Sequence, residues 1–130
     1  MEHANAGRLL IIDNDDTLVR VLERRLAPLG FVCDTANCGR QGIASFDPAR
    51  HELVITDLNM PSGDGIELAR AIRVKSDVPI VVVTGYREAF RTRVRAVPGV
   101  TVIEKPFDLN DLVDLVDAEV AMWRGVRAAG

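Results

Sequence analysis

The sequence predicts one α/β domain built on a doubly wound, five-stranded parallel sheet. Three observations carry that prediction. Four short runs rich in Val and Ile each end on one chemically useful polar residue: Leu9-Leu10-Ile11-Ile12 into Asp13, Leu53-Val54-Ile55-Thr56 into Asp57, Ile80-Val81-Val82-Val83 into Thr84, and Val100-Thr101-Val102-Ile103-Glu104 into Lys105. Runs of this kind suit buried strands covered on both faces by helices. Helical patterns separate the runs, so strand and helix alternate along the chain without linker, repeat or low-complexity stretch. The 130 residues, 48% hydrophobic and 27% charged, suffice for one substantial core and are unlike a disordered composition.

Each element has its own justification. The first strand is expected over 8–12 and the first helix over 17–29, with Leu18, Leu22, Leu26 and Leu29 on one face. Gly30 stops that helix where a left-handed residue is easiest. A second strand over 31–36 precedes a short helix over 40–46, which Asp47-Pro48 ends. The third strand runs to Asp57, and residues 60–65 are a loop of turn formers. A helix over 66–75 follows, and Pro79 opens an all-apolar central strand. The helix over 87–97 is the least regular, with Pro98-Gly99 ending it. The fifth strand leads to Lys105-Pro106-Phe107. A last helix over 109–123, N-capped by Asp108, carries Leu109, Leu112, Val113, Val116, Val120 and Trp123 toward the core. The domain is expected over 8–123 between tails at 1–7 and 124–130, with no output domain after it.

Composition excludes several roles. A formal net charge of −3 gives no pull toward nucleic acid or anionic membrane. No apolar stretch approaches the roughly 18 residues of a membrane span, and the N-terminus lacks an apolar signal region, so a cytoplasmic location is expected. Cys33 and Cys38 have no metal or redox spacing and are expected as free thiols. His3 falls in the tail and His51 in a loop, neither with a partner in sequence.

Open parallel sheets place their sites just outside the carboxyl ends of the strands. Asp13, Asp57, Thr84 and Lys105 are therefore expected to converge on one edge. Singly, each has a plain reading: Asp57 a strand-end turn residue, Thr84 a helix cap, Lys105 a solvated lysine. Coincidence of all of them at one edge is what argues for chemistry.

The stretch 54–65, Val-Ile-Thr-Asp-Leu-Asn-Met-Pro-Ser-Gly-Asp-Gly, followed by Val82-Val83-Thr84-Gly85 and Glu104-Lys105-Pro106-Phe107, resembles the receiver (response-regulator) domain of two-component phosphorelays. The resemblance covers about residues 8–120. It implies a flavodoxin-like fold with strand order 2-1-3-4-5 and makes Asp57 the acceptor of a phosphoryl group from a sensor histidine kinase or phosphotransfer protein. It also implies that Mg²⁺ is held by Asp57, the residues Asp13 and Asn14 after the first strand, and the backbone carbonyl of Asn59. Thr84 and Lys105 would each meet a phosphoryl oxygen, and Lys105–Pro106 would be cis. The output would be altered binding of a downstream protein. Such a chain assists its own phosphorylation and dephosphorylation but turns over no external metabolite.

Two departures stand out. Asn14 occupies a position that is usually acidic, and a lost unit charge at about 4 Å is worth roughly 4 kcal/mol at an effective dielectric of 20, before desolvation. Metal binding is expected to weaken, with Asp15 as a partial substitute. Val102 stands where an aromatic is usual, so an aromatic switch is in doubt, and Tyr86 is a candidate cover for the phosphoryl group. These departures keep open a degenerate receiver that acts as a phosphorylation-independent interaction module.

Asp13-Asn14-Asp15-Asp16-Thr17 also fits the D-x-D-x-T signature of haloacid-dehalogenase-like phosphatases, with Asp13 as nucleophile. That alternative leaves the Asp57 loop unexplained. Arg87, Arg91 and Arg95, set against Asp108, Asp111, Asp114 and Asp117, read as two solvated faces. The alternative is a homodimer through the helices over 87–97 and 109–123.

Overall fold

A computed structural model describes residues 7–58, 65–85 and 96–129. The elements run β1 (Gly7–Ile12), α1 (Asp16–Leu26), a 3₁₀ turn (Ala27–Leu29), β2 (Phe31–Ala36), α2 (Gly39–Ser45), β3 (His51–Asp57), α3 (Gly65–Lys75), β4 (Ile80–Thr84), β5 (Val100–Glu104) and α4 (Leu109–Ala129). All pairings are parallel, in the order β2-β1-β3-β4-β5. The expected helix over 87–97, with Arg87, Arg91 and Arg95, lies outside the described residues, as do Tyr86, Asn59 and His3.

Period-two alternation along apolar strands explains the two faces. Leu9, Ile11, Leu53, Ile55, Val81 and Val83 pack with Val19, Leu22 and Leu26 of α1 and Leu112, Val113, Val116 and Val120 of α4. Their neighbours Leu10, Ile12, Val54, Ile80 and Val82 form the opposite face with Ile66, Leu68, Ala69 and Ile72 of α3. Each fully buried aliphatic side chain contributes roughly 1.5–3 kcal/mol from burial. β5 departs from the fully buried expectation: it is an edge strand, half-buried at four positions and exposed at Val102, 39% accessible. An edge strand has a neighbour on one side only, so its open side admits solvent.

Helix boundaries follow local chemistry. Asp15 caps α1, its Oδ1 accepting from the Thr17 amide at 3.1 Å and the Leu18 amide at 3.2 Å. Gly30 closes the 3₁₀ turn at φ 89°, the left-handed stop the sequence implied. Asp108 caps α4, accepting from the Asn110 amide at 2.7 Å. Several boundaries move: β1 opens at Gly7, the first helix gives way to the 3₁₀ turn after Leu26, α2 runs Gly39–Ser45 and β4 starts at Ile80 rather than Pro79. Residue 65, expected in the loop, opens α3, and α4 continues six residues beyond Trp123. The extension is held by an ion pair: Arg124 Nε and Nη2 reach Glu52 Oε2 and Oε1 at 2.6 and 2.7 Å.

His51 is also not in a loop. It opens β3, only 3% exposed and stacked on Phe46. Its Nδ1 accepts from the Asp47 amide at 2.9 Å, so the ring proton sits on Nε2, facing Asp34 Oδ2 at 2.7 Å. Among the described residues, no helix is long and apolar enough to cross a membrane.

Candidate functional site

Four of the six buried polar residues described lie at the carboxyl end of the sheet: Asp13, Thr56, Asp57 and Thr84. β1 delivers Asp13, whose amide donates to Ala36 O at 3.0 Å and whose Oδ1 accepts from the Asp15 amide at 2.9 Å. β3 delivers Asp57, 8% exposed, beside Val83 of β4. Thr84 ends β4, and its carbonyl accepts from the Lys105 amide at 2.7 Å, which lays the end of β5 alongside it. Across this edge Lys105 Nζ stands 3.7 Å from Asp57 Oδ1. The Lys105–Pro106 peptide is cis.

Electrostatics tie Asp13 into the same group. Burial pushes its carboxyl above the ordinary value of 3.8; the Asp15 amide pulls it back, the Asp57 charge pushes it up again, and Lys105 draws it down. A buried carboxylate whose proton affinity is raised in part by its neighbour's charge, with an ammonium opposite, is an arrangement suited to binding a cation or a transferring anion. A cleft of about 160 Å³ opens beside Asp13, lined also by Asp16, Thr35, Asn37 and Gln41.

The structure thus brings Asp13, Asp57 and Lys105 together, with Thr84 buried on the adjoining strand end. Asn14 is exposed at the same edge. Asp15, expected as a substitute ligand, has one carboxylate oxygen engaged in capping α1, because a helix start leaves amides that need an acceptor. Among the described residues, no group of three His, Cys, Asp or Glu is placed to hold a metal. Neither Cys33 nor Cys38 is in a disulfide, and burial pushes the Cys33 thiol up to about 12, where it is inert. Thr56 was not singled out from the sequence. The available signal was one hydroxyl in a run otherwise of Leu, Val and Ile.

Comparison with known proteins identifies the family. The family model described as "Response regulator receiver domain" matches residues 9–117. The transcriptional regulatory protein ResD of Bacillus subtilis is 33% identical over 120 residues, 91% of this chain and 50% of that protein. The regulatory protein AtoC of Escherichia coli is also 33% identical, over 82% of this chain and 23% of its own length. The chain therefore spans half or less of these relatives. The non-phosphorylated HemR receiver domain of Leptospira biflexa superposes with a TM-score of 0.81 at 26% identity, covering 88% of this chain and 94% of that one.

Proposed function

Because the chain belongs to the response regulator receiver domain family, we propose that its Asp57 carboxylate accepts a phosphoryl group from a histidine kinase or phosphotransfer protein. Receiver domains are signalling domains that interact with such donors and generally use Mg²⁺; they are not enzymes acting on a metabolite. The observation that carries the proposal for this chain is the 3.7 Å approach of Lys105 Nζ to Asp57 Oδ1 beside buried Asp13.

In the proposed step, an Asp57 carboxylate oxygen attacks phosphorus. The phosphorus–nitrogen bond of the donor phosphohistidine breaks, its electron pair returns to the imidazole, and an aspartyl phosphate forms. Little covalent work falls to the protein, so positioning and charge stabilisation dominate. The Lys105 ammonium is placed to pair with a phosphoryl oxygen, and the Thr84 hydroxyl to donate to another. The donor set fits a hard divalent cation: the buried donors are carboxylate oxygens, and the mutual repulsion of Asp13 and Asp57 is what a shared cation relieves. Asp13 and Asp57, with the Asn14 amide oxygen and the Asn59 carbonyl, would hold Mg²⁺, which when bound would neutralise charge on the transferring phosphoryl group. An amide in place of a carboxylate at position 14 implies weaker metal binding.

The output in this reading is altered binding of a downstream protein, in the cytoplasm. Incubation with acetyl phosphate and Mg²⁺, followed by intact-mass analysis and site mapping, tests it. One added phosphoryl group on the wild type and none on Asp57→Asn is expected. Label that survives in Asp57→Asn refutes the assignment, and label lost only in Asp13→Asn would favour the phosphatase-like alternative.

A further inference from the structure

Thr56 is fully buried in β3, between Ile12 of β1 and Val82 of β4 in the sheet. A hydroxyl in such surroundings loses its water, a cost that valine of nearly the same shape would avoid. Its Oγ1 instead donates a 2.9 Å hydrogen bond to the carbonyl oxygen of Asp57. The same carbonyl is approached from the next helix. A Cβ on Gly65 would lie 2.5 Å from Asp57 O, nearer than side chains come to backbone, and 3.1 Å from Leu58 Cα, a tight contact. The Gly65 amide donates to Leu58 O at 2.8 Å, while the Leu58 amide donates to Val83 O at 3.0 Å.

The peptide that follows Asp57 is therefore held from its own strand, from β4 and from the start of α3. We propose that Thr56 and Gly65 are positioning residues for the phosphoacceptor. The hydroxyl and the missing side chain together fix the Asp57 carbonyl, and with it the direction in which the Asp57 side chain leaves the strand end. This inference rests on the reading of Asp57 as the acceptor.

The physical reason is sensitivity to aim. A carboxylate that must meet phosphorus in line loses rate when its backbone turns, even if every reacting group is still present. A purely packing role predicts something else, because a buried methyl and a buried hydroxyl then differ only in stability. Substitutions at position 56 separate the two roles. Thr56→Val keeps the shape and removes the hydroxyl; Thr56→Ser keeps the hydroxyl and removes a buried methyl.

The test measures initial rates of Asp57 phosphorylation across acetyl phosphate concentrations at saturating Mg²⁺, with a thermal midpoint for each variant. Thr56→Val is expected to melt close to wild type while its maximal rate falls about 10- to 100-fold, with little change in the half-saturating donor concentration. Thr56→Ser is expected to melt a few degrees lower and yet phosphorylate within about twofold of wild type. Gly65→Ala should slow the reaction as Thr56→Val does, whereas Gly125→Ala, with nothing within 4 Å of the added carbon, should not.

A wild-type maximal rate in Thr56→Val, or equal slowing of both Thr56 variants, overturns the proposal. Should Gly65→Ala fail to fold, the Thr56 pair decides alone. Label persisting in Asp57→Asn overturns the acceptor reading and this one with it, and is told apart because phosphate then appears without Asp57.

Discussion

The two ends of the same sheet treat buried charge in opposite ways. At the amino end, Glu52 is met by two guanidinium nitrogens of Arg124, with Arg127 at 3.8 Å. Nearby, Asp34 receives His51 at 2.7 Å and Arg8 at 2.8 Å. Burial pushes the Asp34 carboxyl up, but the His51 hydrogen bond and the Arg8 charge more than offset it, leaving it below 3.8. At the carboxyl end, burial and the Asp57 charge leave Asp13 above 3.8, and Lys105 stands back from Asp57 at 3.7 Å. Matched charges hold a fold together. Unmatched ones, clustered at a strand edge, leave room for a ligand to complete them.

The largest break in this contrast comes from the amino end. Arg124→Met leaves Glu52 buried and short of its main partner, and should cost about 1–2 kcal/mol in urea denaturation. This is below the roughly 3–5 kcal/mol of a fully enclosed pair, because the Arg124 side chain is 41% exposed. Adding Glu52→Gln to Arg124→Met should recover most of the loss. No recovery would mean that the helix extension is held by other contacts.

Next in size is the pH signature of Asp34. A depressed carboxyl contributes stability above its unfolded value of 3.8 and loses it as pH falls through the folded value. Asp34→Asn should therefore melt lower than wild type at neutral pH, with the gap closing in acid. A gap that is independent of pH would show that packing at position 34 matters more than charge.

The smallest effect has the reverse sign. A raised carboxyl costs stability once ionised, so the penalty is absent below 3.8 and complete above the folded value of Asp13. In metal-free buffer Asp13→Asn should melt slightly higher than wild type at pH 7 and lose that advantage in acid; with Mg²⁺ present it should phosphorylate more slowly. A lower midpoint at pH 7 would remove the claim that this end of the sheet gives up stability for its site.

The carboxyl end is largely legible in the sequence itself. Asp13, Asp57, Thr84 and Lys105 each close an apolar run, and a parallel sheet has to bring its strand ends to one edge. The amino end is not. His51 looked like a lone loop histidine because its partners, Asp34 and the Asp47 amide, are recognisable only once β2 and β3 flank β1. Thr56 was hidden for another reason: its meaning depends on which way one carbonyl points.

Local pattern, by itself, determined the order of the described elements, the caps at Gly30 and Asp108, the two-faced apolar strands and the residues at their ends, since each depends on neighbours within a few positions. Tertiary structure alone decided that α4 runs on to Ala129, that β5 lies half-open at the edge, and that Glu52, His51 and Thr56 are buried with partners. Those outcomes turn on which strands sit side by side and on contacts such as Glu52 with Arg124, 72 residues apart, which no periodicity along the chain encodes.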